Sequence, residues 1–126
     1  MLNSIILQGR LTRDPDFRMT KFDKPVANFT VACERDYAQT GEEKETDFVD
    51  CCVFGKTADF VRQYFSKGSM ILVQGRLQFR SWLDKDEQKH TRAEIAVDRV
   101  WFGESKKKDA EPQLKEITEP VGDLPF

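Results

Sequence analysis

The chain has 126 residues with 39% hydrophobic, 33% charged and 11% aromatic side chains, which suits one ordinary folded domain with at most a tail. No apolar run approaches the roughly 18 residues of a membrane span, and Met1-Leu2-Asn3 leads straight into a patterned segment without a basic or apolar leader, so a cytoplasmic protein is expected. A net charge of −2 excludes the strongly basic balance of a duplex-binding protein; residues 1–103 carry 16 basic and 16 acidic side chains and residues 104–126 carry 4 and 6, so any nucleic-acid role depends on where the charges fall.

Residues 3–11 form a β-prone run closed by Thr12-Arg13-Asp14-Pro15, whose Asp-Pro pair cannot continue a ladder. From Val26 to about Tyr37 the period is two, with Ala27, Phe29, Val31 and Cys33 on one face. Polar residues 38–45, with Gly41 among them, read as a hairpin loop, and a third strand follows over 46–54. The period then becomes helical: Phe60, Val61, Tyr64 and Phe65 recur on one side, Thr57 is placed as N-cap, Asp59 sits in the first turn, Lys67 near the last, and Gly68 is the stop. Residues 70–83 alternate again, Lys85-Asp86-Glu87-Gln88 makes a polar turn, and residues 90–102 alternate once more. Three strands, a helix and two strands are the order of an all-β, five-stranded barrel of the OB type, with one short helix between strands three and four. Residues 104–126 have no hydrophobic period and are expected to form a disordered tail after a folded domain over residues 1–103.

Cys33, Cys51 and Cys52 are odd in number and two are adjacent, and His90 is the single histidine. Neither a disulfide framework nor a tetrahedral metal site fits that set, so reduced thiols, no metal and no cofactor are expected.

Side-chain parity separates a core face from a working face. On the third strand Val49, Cys51 and Val53 share one side, while Phe48, Asp50, Cys52 and Phe54 share the other. On the fourth, Ile71, Val73, Gly75, Leu77 and Phe79 oppose Leu72, Gln74, Arg76, Gln78, Arg80 and Trp82. Rings interleaved with cations suit unpaired nucleotides, because every base has a π-face and every phosphate needs a counter-charge; stacking is worth roughly 1–3 kcal/mol per base. Trp82, Phe54, Phe48 and Tyr37 are the candidate stacking residues, and Arg18, Lys56, Lys67, Arg76 and Arg80 the candidate phosphate contacts. Trp101 shares parity with Ile95 and Val97 and is expected in the core.

Five stretches in this order, Ile6-Leu7-Gln8-Gly9-Arg10-Leu11-Thr12-Arg13-Asp14-Pro15, Val53-Phe54-Gly55-Lys56, Lys67-Gly68-Ser69, Gly75-Arg76-Leu77 with Trp82 shortly after, and Asp123-Leu124-Pro125-Phe126, resemble the bacterial and phage single-stranded-DNA-binding proteins over essentially the whole chain. The resemblance implies an OB fold that assembles as a homotetramer and wraps single strands for DNA replication, recombination and repair. It also implies no enzymatic activity, and an extreme C-terminus, Asp123, Leu124, Pro125 and Phe126, that recruits partner proteins. The family's stacking positions fall on Tyr37, Phe48, Phe54 and Trp82. Tyr37 and Phe48 stand where well-known members carry tryptophan. Asp50 replaces a basic residue, and the tip has one aspartate in place of a run of them. Two rival readings remain: a protein-interaction OB module that does not grip DNA, and a metal-dependent nuclease built on Asp47, Asp50 and Asp98.

Overall fold

The structure, a computed structural model, describes residues 1–104, so the expected tail and its tip at Asp123, Leu124, Pro125 and Phe126 lie outside the described residues. Among the described residues the elements are β1 (Ile5–Leu11), β2 (Asp16–Met19), β3 (Pro25–Glu34), β4 (Thr46–Phe54), α1 (Lys56–Tyr64), β5 (Met70–Leu83) and β6 (Lys89–Phe102). The strands form one sheet in the order β1-β5-β6-β4-β3-β2, and a β1–β3 pairing at Arg10 and Leu11 closes it into an uneven barrel. The fold is the OB fold, with α1 between β4 and β5.

The core is built from the β-branched and aromatic side chains that the period of two turns inward. Phe29, Val31, Val53, Ile71, Val73, Ile95 and Val100 are fully buried, each worth about 1.5–3 kcal/mol of burial. Helix α1 seals one end through Ala58 and Val61, with Phe60, Tyr64, Phe65 and Phe102 forming an aromatic cluster; the Phe65 and Phe102 rings stack at 5.1 Å. The Arg62 guanidinium lies 4.7 Å from the centre of the Phe17 ring and ties the helix to β2.

Four sequence expectations change. Strand β2 is an additional short edge strand, paired with β3 from Asp16↔Asn28 to Met19↔Pro25, and four residues are too few to announce a period. Both helix limits move: Thr57 lies inside the helix and the N-cap is Gly55, whose φ of 75° suits glycine, with no side chain capping that end, while the helix stops at Tyr64, so Arg62 and not Lys67 is the basic residue of its last turn and Gly68 lies beyond it. The second long strand stops at Glu34, which leaves Tyr37 in the loop beyond it.

The fourth change comes from a bulge. Gln74 pairs with Arg99 but Gly75 with Val97, so Asp98 is an extra residue on β6. Parity flips there: Ile95 and Val97 face inward, then Val100 does, and Trp101 turns to the outer face opposite Leu72, half-buried. Gly75 is required at this point, because a Cβ on it would sit 2.9 Å from both the Ala96 carbonyl carbon and Val97 Cα. Beyond Gly75, β5 and β6 continue as a two-stranded arm past the barrel. Leu77 and Phe79, expected inside, are therefore 39% and 66% exposed on the arm's other face.

Candidate nucleic-acid interface

The outer faces of β4, β6 and β5 lie side by side. Their registers align Thr30, Asp50, Glu94 and Gln78 in one row across four strands, with Arg92 and Arg80 paired in the next row and His90 and Trp82 in the one after. The first row is a polar floor. Thr30 Oγ1 donates to Asp50 Oδ1 at 2.9 Å, and Gln78 Nε2 donates to Glu94 Oε1 at 2.9 Å. Two arginines lean onto this floor from the second row: Arg80 donates to Glu94 Oε2 at 2.8 Å, and Arg92 Nε pairs with Asp50 Oδ2. Both arginine side chains stay more than half exposed while the Glu94 side chain is buried, a partnered burial that avoids the cost of an isolated charge.

A groove of about 750 Å³ runs over this floor, lined by Phe48 and Trp82 as well as Arg13, Asn28, Thr30 and Asp16. Its charges cancel: Arg13, Arg80 and Arg92 stand against Asp16, Asp50 and Glu94. The structure brings together three of the sequence-predicted residues, Phe48, Trp82 and Arg80, in this one groove. All four candidate rings are outside the core, with Tyr37 81%, Phe48 68%, Phe54 49% and Trp82 44% exposed. Tyr37 and Phe54, however, do not line the groove. Phe54 is six residues along β4 from Phe48, with the Lys24 ammonium 5.3 Å from its ring centre. Tyr37 stands in a loop where residues 34–47 hold six carboxylates against Arg35 and Lys44. Arg35 already pairs with Glu45 and Asp47, and hydrogen bonding to it holds the Asp47 carboxyl below the usual carboxylate range.

The other candidate cations are exposed and also lie off the groove lining: Arg18 on β2 is paired with Asp16 at 2.9 Å, Lys56 begins α1, Lys67 follows it, and Arg76 is on β5. The backbone N–H of Lys67 donates to Asp14 at 2.8 Å, which fixes the turn after the helix to the β1–β2 loop.

Sequence reasoning missed Arg13, Arg92, Glu94 and His90. The signal was present in β6, where His90, Arg92 and Glu94 share one parity, but the pairing that sets them against Arg80 and Trp82 is a register fact. At the arm's tip the Trp82 and His90 rings stack with centres 5.5 Å apart and planes 21° apart, and the imidazole donates from Nε2 to Asp84 Oδ2 at 2.7 Å. That bond, with backbone donors from Gln88 and Asp86, holds the Asp84 carboxyl below its ordinary range. The three aspartates of the nuclease reading do not converge. Asp47 and Asp50 point to opposite sides of β4, and Asp98 is the bulge residue of β6.

A barrel whose outer sheet face carries rings, arginines and a polar floor defines a class: small OB-fold proteins that present a shallow groove on the sheet itself. The model of the single-strand binding protein family matches residues 2–102, and the chain belongs to that family. It is 43% identical over 113 residues to Single-stranded DNA-binding protein 1 of Staphylococcus aureus (strain MSSA476), a match covering 90% of this chain and 72% of that protein. A Single-stranded DNA-binding protein of S. aureus (strain MRSA252) is 44% identical over 106 residues, 84% of this chain and 68% of the relative. Single-stranded DNA-binding protein 2 of Listeria monocytogenes serovar 1/2a is 40% identical over 111 residues, 88% and 69% of the two chains. No helix among the described residues is long and apolar enough to cross a membrane.

Proposed function

We propose that the chain binds single-stranded DNA without regard to base sequence, and serves DNA replication, recombination and repair without catalysing a reaction. The observation that carries this reading is the pair of exposed rings, Phe48 from β4 and Trp82 from β5, on one groove whose cations come from three different segments. Phe48 and Trp82 stack bases, and Arg80, Arg92 and Arg13 meet the phosphates between them. Tyr37 and Phe54 take bases farther along the strand's path, and Arg18, Lys56, Lys67 and Arg76 supply outlying phosphate contacts. Residues 1–103 act as the binding domain, and residues 104–126 carry the tip, Asp123, Leu124, Pro125 and Phe126, which recruits partner proteins.

The test is optical. Oligo(dT) should quench Trp82 emission in a Trp101→Phe background, and duplex of equal length should not. Trp82→Ala should weaken oligo(dT) binding by about 1–3 kcal/mol, the value of one stacked base. Equal competition by duplex refutes the reading.

Assembly as a homotetramer belongs to the same proposal. Strand β1 pairs with β3 only at Arg10 and Leu11, so the segment from Ile5 to Gly9 keeps an edge for another strand, with Ile6 exposed beside it. Light scattering on purified protein reads the number of subunits. The interaction-module reading draws on the cancelled charges of the groove, and a titration against salt separates it, since phosphate contact requires log affinity to fall with log salt.

A further inference from the structure

We propose that His90 is a positioning residue for the stacking indole: fastened to Asp84, its imidazole covers one face of Trp82, so that the hairpin tip offers a single indole face to a single base. The inference rests on the reading of Trp82 as a base-stacking residue.

Trp82 and His90 are a cross-strand pair near the end of the arm, well beyond Gly75, where β5 and β6 leave the barrel. No hydrophobic interior holds a ring there, and both residues are exposed. The order comes from the turn. Asp84 Oδ1 accepts the backbone N–H groups of Asp86 at 2.8 Å and Gln88 at 2.9 Å, which leaves Oδ2 aimed back along the arm to receive His90 Nε2 at 2.7 Å. The imidazole held in this way lies nearly parallel to the indole, at a separation within the range of favourable aromatic pairs. A chain of constraint therefore runs from the turn through Asp84 and His90 to Trp82.

Two consequences follow. A ring fixed before the strand arrives does not have to be ordered on binding, so its rotamer entropy is not charged against affinity. An indole with one face covered also cannot be intercalated between two bases.

The experiment uses the full chain carrying Trp101→Phe, which leaves Trp82 as the single indole. Binding is read by anisotropy of end-labelled oligo(dT). His90→Ala should weaken binding roughly two- to ten-fold, and His90→Phe, which keeps a ring against the indole, should bind within about two-fold of the parent. Parent-like binding by His90→Ala, or binding by His90→Phe as weak as that of His90→Ala, overturns the proposal. Trp82→Ala is measured alongside. If it weakens binding while His90→Ala does not, the positioning role alone falls; if Trp82→Ala binds as the parent does, the stacking reading falls with it.

Discussion

Two of the groove arginines, Arg80 and Arg92, are engaged before any DNA arrives, and Asp50→Asn measures what that engagement does for Arg92. Asp50 accepts from Thr30 Oγ1 at 2.9 Å and pairs with Arg92, whose side chain is otherwise solvent-exposed. An asparagine oxygen can accept the same Thr30 hydroxyl, so the floor keeps its packing while Arg92 loses its counter-charge. Each phosphate newly neutralised on a single strand adds about 0.7 to the negative slope of log affinity on log salt. Removing a carboxylate roughly 6 Å from a bound phosphate removes about 0.7 kcal/mol of repulsion at the dielectric of water, a gain of about three-fold at low salt. Oligo(dT) titrations by filter binding over roughly 50–200 mM salt should therefore show tighter binding for Asp50→Asn, a slope steeper by about 0.7 per subunit, and a gain that shrinks as salt rises. Adding Arg92→Ala should return the slope to the parent value. Weaker binding at an unchanged slope refutes the reasoning and makes Asp50 a support for Arg92 instead of a competitor for it.

Other expectations concern the scaffold. Gly75→Ala should destabilise the fold by about 2 kcal/mol or more in urea unfolding, because the new Cβ meets the Ala96 and Val97 backbone, which cannot yield as a side chain would. Phe29→Ala should cost about 3–5 kcal/mol in the same assay, as a fully buried ring leaves a cavity. Burial pushes the Cys51 thiol from its ordinary 9.0 up to about 12, so the native protein should resist alkylation at Cys51 at about pH 8 and react once unfolded, as mass spectrometry will read. The same shift makes the fold lose stability as pH rises from 9.0 toward 12, since the unfolded chain releases that proton first. Asp84 is shifted the other way, chiefly by His90. Its contribution to the hairpin tip is present above the ordinary carboxylate value and should be lost as pH falls below about 4, with lower amide protection factors, taken relative to the intrinsic exchange rate at each pH, at Asp86 and Gln88 while the barrel stays protected.

The period of two placed Phe29, Val31, Val53, Ile71 and Val73 in the core and turned Phe48, Phe54 and Trp82 outward, because alternation is a local property of extended backbone. It could not place Trp101, since one residue added at Asp98 reverses every side chain after it, and no local signal in β6 marks the addition. Nor could it place Leu77 and Phe79. Their parity is that of the core, but the barrel they would face ends at Gly75. The groove was half legible for the same reason. Rings and arginines declare their types in sequence, whereas the row of Thr30, Asp50, Glu94 and Gln78 exists only through the β3–β4, β4–β6 and β5–β6 registers, one of them parallel and distant in the chain. Asp50, a departure from a basic position when read alone, is the partner of Arg92 once the sheet is formed.

A groove with balanced charge also bears on which nucleic acid it would favour under the proposed function. Duplex DNA offers phosphates but no free base faces, so it binds such a surface by charge alone, whereas an unpaired strand adds stacking on Phe48 and Trp82. Pairing Arg80 with Glu94 and Arg92 with Asp50 removes much of the attraction both substrates share and leaves the part that only the unpaired one has. Each cation freed for phosphate contact is worth about 0.9 in salt slope on duplex against about 0.7 on a single strand, so duplex gains more from unmasking. Asp50→Asn combined with Glu94→Gln should therefore raise duplex affinity by a larger factor than oligo(dT) affinity, and competition of labelled oligo(dT) by unlabelled duplex at low salt should show the ratio falling. If the ratio holds or rises, discrimination resides in the rings alone, and the two carboxylates serve only to seat Arg92 and Arg80.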